Sequence, residues 1–259
     1  MIKFAANLTM LFTELPFLQR FQAAADAGFR GVEFLFPYAF DKNALADQLD
    51  RCGIKLVLHN LPPGNWDTGK RGIACHPDRI AQFESGIEQA IDYATALNVT
   101  QLNCLAGIVP AGVSNALAHA TMVRNLKYAA DRLQSVQIRL LIEPINTFDI
   151  PGFFLSHSRQ ALQLIQEVGS DNLFMQYDIY HMQRMEGELI NTIKNSLPLI
   201  KHMQLADNPG RAEPGTGEIN YRNLFKSLEA IGYDGWIGCE YKPANGTIEG
   251  LHWRKDHGY

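Results

Sequence analysis

Four apolar runs in this 259-residue chain each end on a side chain that can offer oxygen to a hard cation. They are Leu140-Leu141-Ile142-Glu143, Phe174-Met175-Gln176-Tyr177-Asp178, Ile200-Lys201-His202-Met203-Gln204 and Trp236-Ile237-Gly238-Cys239-Glu240. Their last residues lie 35, 26 and 36 positions apart, spacings that fit repeated strand–helix units. If the strands are parallel neighbours, the four end groups converge on one rim. Three carboxylates and an amide gathered there repel one another unless a cation sits between them. All-oxygen donors favour Mg²⁺ or Mn²⁺ over zinc, which prefers nitrogen and sulfur.

Each residue also has a plainer reading. Glu143 precedes Pro144, which disfavours a helical conformation at Glu143 and suits a strand end; an exposed acid or one tied to an arginine fits equally. Asp178 and His181, three apart beyond a strand, can share a pocket, or Asp178 can cap a turn and His181 can be a hydrogen-bonded loop histidine. Alternation turns Gln204 into the interior while Met203 and Leu205 face the helices. A buried amide needs partners, which other core groups can also supply. Gly238, two residues before Glu240, lets some group approach closely. Lys242 can pair with Glu240, bind an anionic substrate or lie in solvent. His59 and Asn60 end a strand and can bond a substrate oxygen. Arg211 sits in a Gly/Pro-rich turn, Asn208 to Glu218, as a clamp for a carboxylate or hydroxyl, or as a solvated charge. His76, His119, His157, His202, His252 and His257 share no spacing and receive no role.

The elements that must position these groups are legible as alternation. Short apolar runs predict strands at Lys3–Asn7, Gly31–Leu35, Lys55–Asn60, Gln101–Ala106, Arg139–Glu143, Leu173–Asp178, Ile200–Ala206 and Trp236–Glu240. Between and after them, helical periodicity predicts helices at Pro16–Ala27, Lys42–Cys52, Pro77–Leu97, Ala116–Gln134, Ser158–Val168, Glu188–Leu197, Tyr221–Ile231 and Ile248–Arg254. Eight such pairs point to an α/β chain with a parallel sheet. The first strand is followed by Leu8-Thr9-Met10-Leu11-Phe12, with no glycine cradle for a pyrophosphate, which argues against a nucleotide-binding open sheet. The expectation is a single (β/α)8 TIM barrel over residues 1–259. The loop Leu61–Pro77, with Trp66, Lys70 and Arg71 among its glycines and prolines, then lies on the active-site face as a lid or a long ordered turn.

Composition narrows the function. The net charge is −4, against the basic surface of a general nucleic-acid binder. Cys52, Cys75, Cys104 and Cys239 form no Cys-x-x-Cys pair and suggest neither a disulfide framework nor a thiolate zinc site. With no signal peptide or apolar span apparent, a cytoplasmic protein without membrane partners is expected. The sequence leaves a homo-oligomer open.

Several long strings resemble the hydroxypyruvate isomerase family, within the xylose-isomerase-like barrel superfamily. They include Phe4-Ala5-Ala6-Asn7-Leu8, Gly31-Val32-Glu33-Phe34-Leu35-Phe36-Pro37-Tyr38, Leu58-His59-Asn60-Leu61-Pro62, Arg71-Gly72-Ile73-Ala74-Cys75 and Leu141-Ile142-Glu143-Pro144-Ile145-Asn146. Others are Gln176-Tyr177-Asp178-Ile179-Tyr180-His181-Met182-Gln183, Gly215-Thr216-Gly217-Glu218-Ile219-Asn220-Tyr221 and Gly238-Cys239-Glu240-Tyr241-Lys242-Pro243. The resemblance implies a divalent metal held by Glu143, Asp178, Gln204 and Glu240, with Glu143 and Glu240 also moving protons. Members of the wider superfamily commonly have histidine where Gln204 stands, which bears on metal preference. The implied reaction interconverts hydroxypyruvate and tartronate semialdehyde through a metal-stabilised enediolate. The same branch holds 2-oxo-tetronate isomerases, which act on a four-carbon acid. Arg71, Lys70, Arg211 and Lys242 are the candidates for the substrate carboxylate, and His59 and His181 for its other oxygens. Two remoter readings are an abasic-site endonuclease, which needs several metal-binding histidines and a basic face, and a non-catalytic metabolite-binding barrel.

Overall fold

In the computed structural model, which describes residues 2–259, eight parallel strands close into a barrel in chain order. They are β1 (Lys3–Asn7), β2 (Gly31–Glu33), β3 (Lys55–Asn60), β4 (Gln101–Cys104), β5 (Arg139–Ile142), β6 (Leu173–Asp178), β7 (Ile200–Leu205) and β8 (Trp236–Cys239). Around them lie α1 (Arg20–Asp26), α2 (Lys42–Cys52), α3 (Ile80–Ala96), α4 (Asn115–Gln134), α5 (Ser158–Val168), α6 (Ile179–Met185), α7 (Leu189–Ser196), α8 (Tyr221–Ala230) and α9 (His252–Asp256). The expected eight-fold alternation is present, with most strands ending one or two residues early. Glu143 and Glu240 therefore stand just past β5 and β8, at the rim.

The local rules that build these elements are ordinary ones. α2 starts where Asp41 Oδ1 accepts the N–H groups of Asn43 and Ala44, satisfying two of the first-turn donors. α3 buries Phe83, Ile87, Ala90 and Ala94, one face at helical spacing, against the barrel. One element was not expected: α6 follows β6 with no loop between them. Asp178 is its N-cap, with Oδ1 accepting the His181 N–H at 3.0 Å. The capping reading of Asp178 thus holds, and it turns His181 inward on the first turn.

Inside the barrel the side chains are layered. Ala5, Val57, Leu58 and Leu141, with Phe174 and Trp236 against them, form a small apolar plug separate from the main core between sheet and helices. Above it, toward the carboxyl ends of the strands, the interior turns polar: Asn7, Glu33, Asn60, Asn103, Gln176, Asp178, His202 and Gln204 are all buried. Buried polar groups need partners. Those partners define the site.

Candidate active site and metal centre

Glu143, Asp178, His181 and Glu240 each place one ligand atom within 4.8 Å of the other three, and all are buried. Their supports differ. Glu143 Oε2 accepts a hydrogen bond from Asn103 Nδ2 on β4 at 2.8 Å. Glu240 Oε2 accepts from Arg211 Nη2 at 2.7 Å. Asp178 spends Oδ1 on its own helix, while Oδ2 is buried with no partner. Burial pushes the Glu143 carboxyl well above the usual range, with Glu240 and Asp178 adding repulsion. Burial likewise pushes Glu240 up to about 8, against the pull of Arg211. Crowded, dry carboxylates with an orphaned oxygen at their centre fit a hard divalent cation.

His181 belongs to this group in space but differs in chemistry. Its Nδ1 lies 2.6 Å from Asn146 Nδ2. The orientation of that amide is fixed, because Asn146 Oδ1 accepts the Asp149 N–H at 2.8 Å and Nδ2 also donates to Asp149 Oδ2. Nδ1 is therefore the acceptor, and the hydrogen sits on Nε2. Burial lowers the His181 pKa to about 4, so the ring is neutral at pH 7. Nε2 stands 3.9 Å from Glu143 Oε1 and 3.8 Å from Asp178 Oδ2, too far for hydrogen bonds. It presents an N–H to the space between them, suited to a substrate oxygen rather than a cation.

Gln204 lies beside Asp178 in the β6–β7 register. Both ends of its amide are engaged: Nε2 donates to Glu33 Oε1 at 2.7 Å, and Oε1 accepts from Gln176 Nε2 at 2.7 Å. Glu33 also accepts from Asn7 Nδ2 at 2.9 Å and pairs with His202 Nε2 at 2.6 Å. Sequence reasoning gave His202 no role and passed over Glu33, yet both are fully buried beneath the carboxylates. The signal was present in the period of two, which puts Glu33 on the inward face of β2 and His202 on that of Gln204. Gly238 was the other sign. A Cβ there would sit 2.2 Å from Glu33 Oε1, so the group that glycine admits is this carboxylate.

Above the cluster is a cavity of about 90 Å³, walled by Trp66, Arg71, Glu143, His181, Arg211 and Glu240 among others. The Leu61–Pro77 loop thus contributes to the site. The Arg71 guanidinium lies 4.2 Å from the Trp66 ring centroid, and Nη1 donates to the Trp66 and Lys70 carbonyls. The loop is anchored at Gly72, whose φ of +110° and close approach to the Leu105 carbonyl leave no room for a Cβ. Arg211 reaches the cavity from the Asn208–Glu218 turn. Asp207 staples that turn by accepting the N–H groups of Asn208, Gly215 and Ile219. Arg211 is no free clamp, since it already holds Glu240. Lys242 is not brought in: its side chain is exposed, and its backbone N–H donates to the Arg211 carbonyl. His59 is fully buried, with Nδ1 on the Asn60 carbonyl and Nε2 unpartnered, and burial lowers its pKa to about 4. Asn60 lines the cavity and His59 does not.

The chain matches the model of the xylose isomerase-like TIM barrel family over residues 21–257. It is 57% identical to a hydroxypyruvate isomerase of Escherichia coli, covering 98% of each chain. It is 44% identical to a 2-oxo-tetronate isomerase of Cupriavidus necator, covering 99% of each. A Brucella melitensis structure described as an AP endonuclease, family 2, superposes with a TM-score of 0.96 at 43% identity over 99% of each chain. The D-psicose 3-epimerase of Clostridium cellulolyticum shares the fold at a TM-score of 0.79 and 17% identity, over 95% of this chain and 88% of that one. The chain belongs to the xylose isomerase-like TIM barrel family, on the branch that holds the hydroxypyruvate and 2-oxo-tetronate isomerases.

Proposed function

We propose that this protein is an aldose–ketose type isomerase that interconverts hydroxypyruvate and 2-hydroxy-3-oxopropanoate, tartronate semialdehyde. The observation that carries the reading is a pair of buried carboxyl groups, Glu143 and Glu240, facing one small cavity, with burial pushing both above the usual carboxylate range. Moving a hydrogen between adjacent carbons needs one group to accept a proton and another to deliver one near pH 7. The 57% identity to a hydroxypyruvate isomerase supports the same conclusion.

Glu143, Asp178 and Glu240 would hold the metal, with Gln204 as the fourth donor. Their oxygens suit Mg²⁺ or Mn²⁺. When bound, such a cation stabilises the negative charge that develops on substrate oxygens. The protein's own groups do the rest. One glutamate takes the proton from the carbon next to the carbonyl. The other gives a proton to the neighbouring carbon, the former carbonyl carbon, while the hydroxyl hydrogen passes to the former carbonyl oxygen. Asn103 and Arg211 keep each carboxyl group in position. His181 donates its Nε2–H to a substrate oxygen, and Arg71 meets the substrate carboxylate. Trp66 covers the cavity and limits water.

The higher identity to a hydroxypyruvate isomerase, 57% against 44% to a 2-oxo-tetronate isomerase, favours the three-carbon acid. The four-carbon reading is kept because 44% identity links the chain to a 2-oxo-tetronate isomerase. An endonuclease reading is disfavoured. The net charge is −4, and the one histidine in the cluster has its hydrogen on Nε2.

The test incubates metal-stripped protein with hydroxypyruvate, with and without Mg²⁺ or Mn²⁺, and follows tartronate semialdehyde by NMR, beside a parallel tube of 2-oxo-tetronate. Metal-dependent turnover of the three-carbon acid is the expected result. Turnover of only the four-carbon acid keeps the chemistry and changes the substrate. Turnover of neither overturns the assignment.

A further inference from the structure

We propose that Glu33 is the positioning residue of the metal centre: it turns the Gln204 amide so that its oxygen, not its nitrogen, is left on the β6 side, where Asp178 stands. This rests on the metal site proposed above. A carboxylate can only accept, so the end of Gln204 set against it must be the NH₂ group. The observed contact is Gln204 Nε2 to Glu33 Oε1 at 2.7 Å. The amide oxygen is thereby committed to the opposite side. There one lone pair accepts from Gln176 Nε2, and the second remains for a cation.

The carboxylate that imposes this choice is itself held on every side. Asn7 Nδ2 binds Oε1, and His202 Nε2 binds Oε2. Gly238 leaves the hollow it fills, since a Cβ there would meet both carboxylate oxygens at 2.2–2.3 Å. Glu33, His202 and Gln204 are each at most 1% exposed, so bulk water does not reach these contacts. A neutral group in place of Glu33 removes the constraint. The Gln204 amide can then turn over and point N–H groups where a cation needs a lone pair.

The experiment titrates metal-stripped protein with Mn²⁺ alone by calorimetry, without substrate. Glu33→Gln is expected to weaken Mn²⁺ binding by about 10- to 100-fold, the usual effect of losing a group that orients a ligand. The decisive variant is Glu33→Gln combined with Gln204→Glu. A carboxylate offers oxygen whichever way it turns, so the double variant is expected to regain about tenfold or more over Glu33→Gln. Lost packing or a weakened fold would not be rescued in this way. Full affinity in a folded Glu33→Gln protein, or no rescue in the double variant, overturns the proposal. Should Glu33→Gln fail to fold, wild-type protein crystallised with Mn²⁺ decides. Gln204 Oε1 on the ion with Nε2 still on Glu33 upholds the proposal, and Gln204 released from Glu33 overturns it. A wild type that binds Mn²⁺ but turns over neither acid overturns the functional reading and leaves this one standing. A wild type that binds no Mn²⁺ overturns both.

Discussion

The two mouths of the barrel both gather like charges, in different surroundings. At the carboxyl ends of the strands, Glu143, Asp178 and Glu240 crowd together at 0–4% exposure. At the amino ends, Lys3, Lys55, Arg139 and Lys201 line an open hollow of about 410 Å³. Lys3, Lys55 and Arg139 are exposed there, and Asp234 is the one acid among the described residues that line it. Between the mouths lies the apolar plug of Ala5, Val57, Leu58 and Leu141. A given pair of charges interacts about four times more strongly at an effective dielectric constant of ~20 than in water. Water and salt relax the crowding at the base, whereas at the top Arg211 and Asn103 relax it only in part. The dry mouth is where a counter-ion would be favoured, and there burial pushes the Glu143 and Glu240 carboxyl groups upward.

This contrast makes opposite demands on substitutions above and below the plug. The largest effect belongs above it. Glu240→Gln keeps an acceptor for Arg211 but can neither take nor give the proton. It is expected to lower kcat by about 10²–10⁴-fold. Relief of the repulsion among the buried carboxylates offsets the loss of the Arg211 ion pair, so the midpoint of thermal unfolding without metal should move little. A Glu240→Gln protein with full isomerase activity, or one much less stable than wild type without metal, would break the division between the mouths.

Below the polar layers the order reverses. Leu141 is fully buried in the plug, with no polar role. Leu141→Ala is expected to cost about 2–5 kcal/mol of stability, from lost apolar burial plus the cavity left behind. Turnover per folded molecule should change little. Urea unfolding alongside active-site-normalised kinetics checks both halves. A large loss of kcat in protein still folded would show that the plug sets the geometry of the site and does not merely support it.

His59 sharpens the comparison by pH. It is buried and its folded pKa is lowered to about 4, against about 6.5 when exposed. Between these values the unfolded chain takes up a proton that the folded chain refuses. Stability present above pH 6.5 is therefore lost as pH falls toward 4. The shift corresponds to roughly 3 kcal/mol for this residue. His59→Gln should flatten the acid side of the stability curve by about 2 kcal/mol of that, measured as wild type minus variant at pH 6.5 and pH 4.5. Parallel curves would place a solvent path to His59.

Much of this was legible in the sequence, for identifiable reasons. The strands and helices were marked by apolar periods of two and 3.6. The rim groups were marked by falling at strand ends. Glu143, Asp178 and Glu240 converge because parallel strands in chain order leave them no other arrangement. What escaped was pairing across the barrel. Glu33 meets His202, 169 residues away, and Gln204, 171 residues away. No local spacing encodes those contacts. The tautomer of His181 escaped for the same reason, since it depends on Asn146, 35 residues earlier. Lys242 follows Glu240 closely in sequence but faces solvent, because the chain leaves the barrel at that point.

The smallest effect tests whether the base is as inert as its exposure implies. If Lys3, Lys55 and Arg139 repel one another only through water, removing one charge should relieve little. Lys55→Gln is expected to raise stability by no more than about 0.5 kcal/mol at low ionic strength, and the gain should vanish near 1 M salt, where the Debye length falls to about 3 Å. Chemical unfolding by urea, which adds no ions, at two salt concentrations measures it. A gain of several kcal/mol would mean that the base charges are as poorly hydrated as the carboxylates above, and the distinction between a wet and a dry mouth would fail. A loss of stability that salt does not change would assign Lys55 a packing role instead, through its aliphatic stem against the plug.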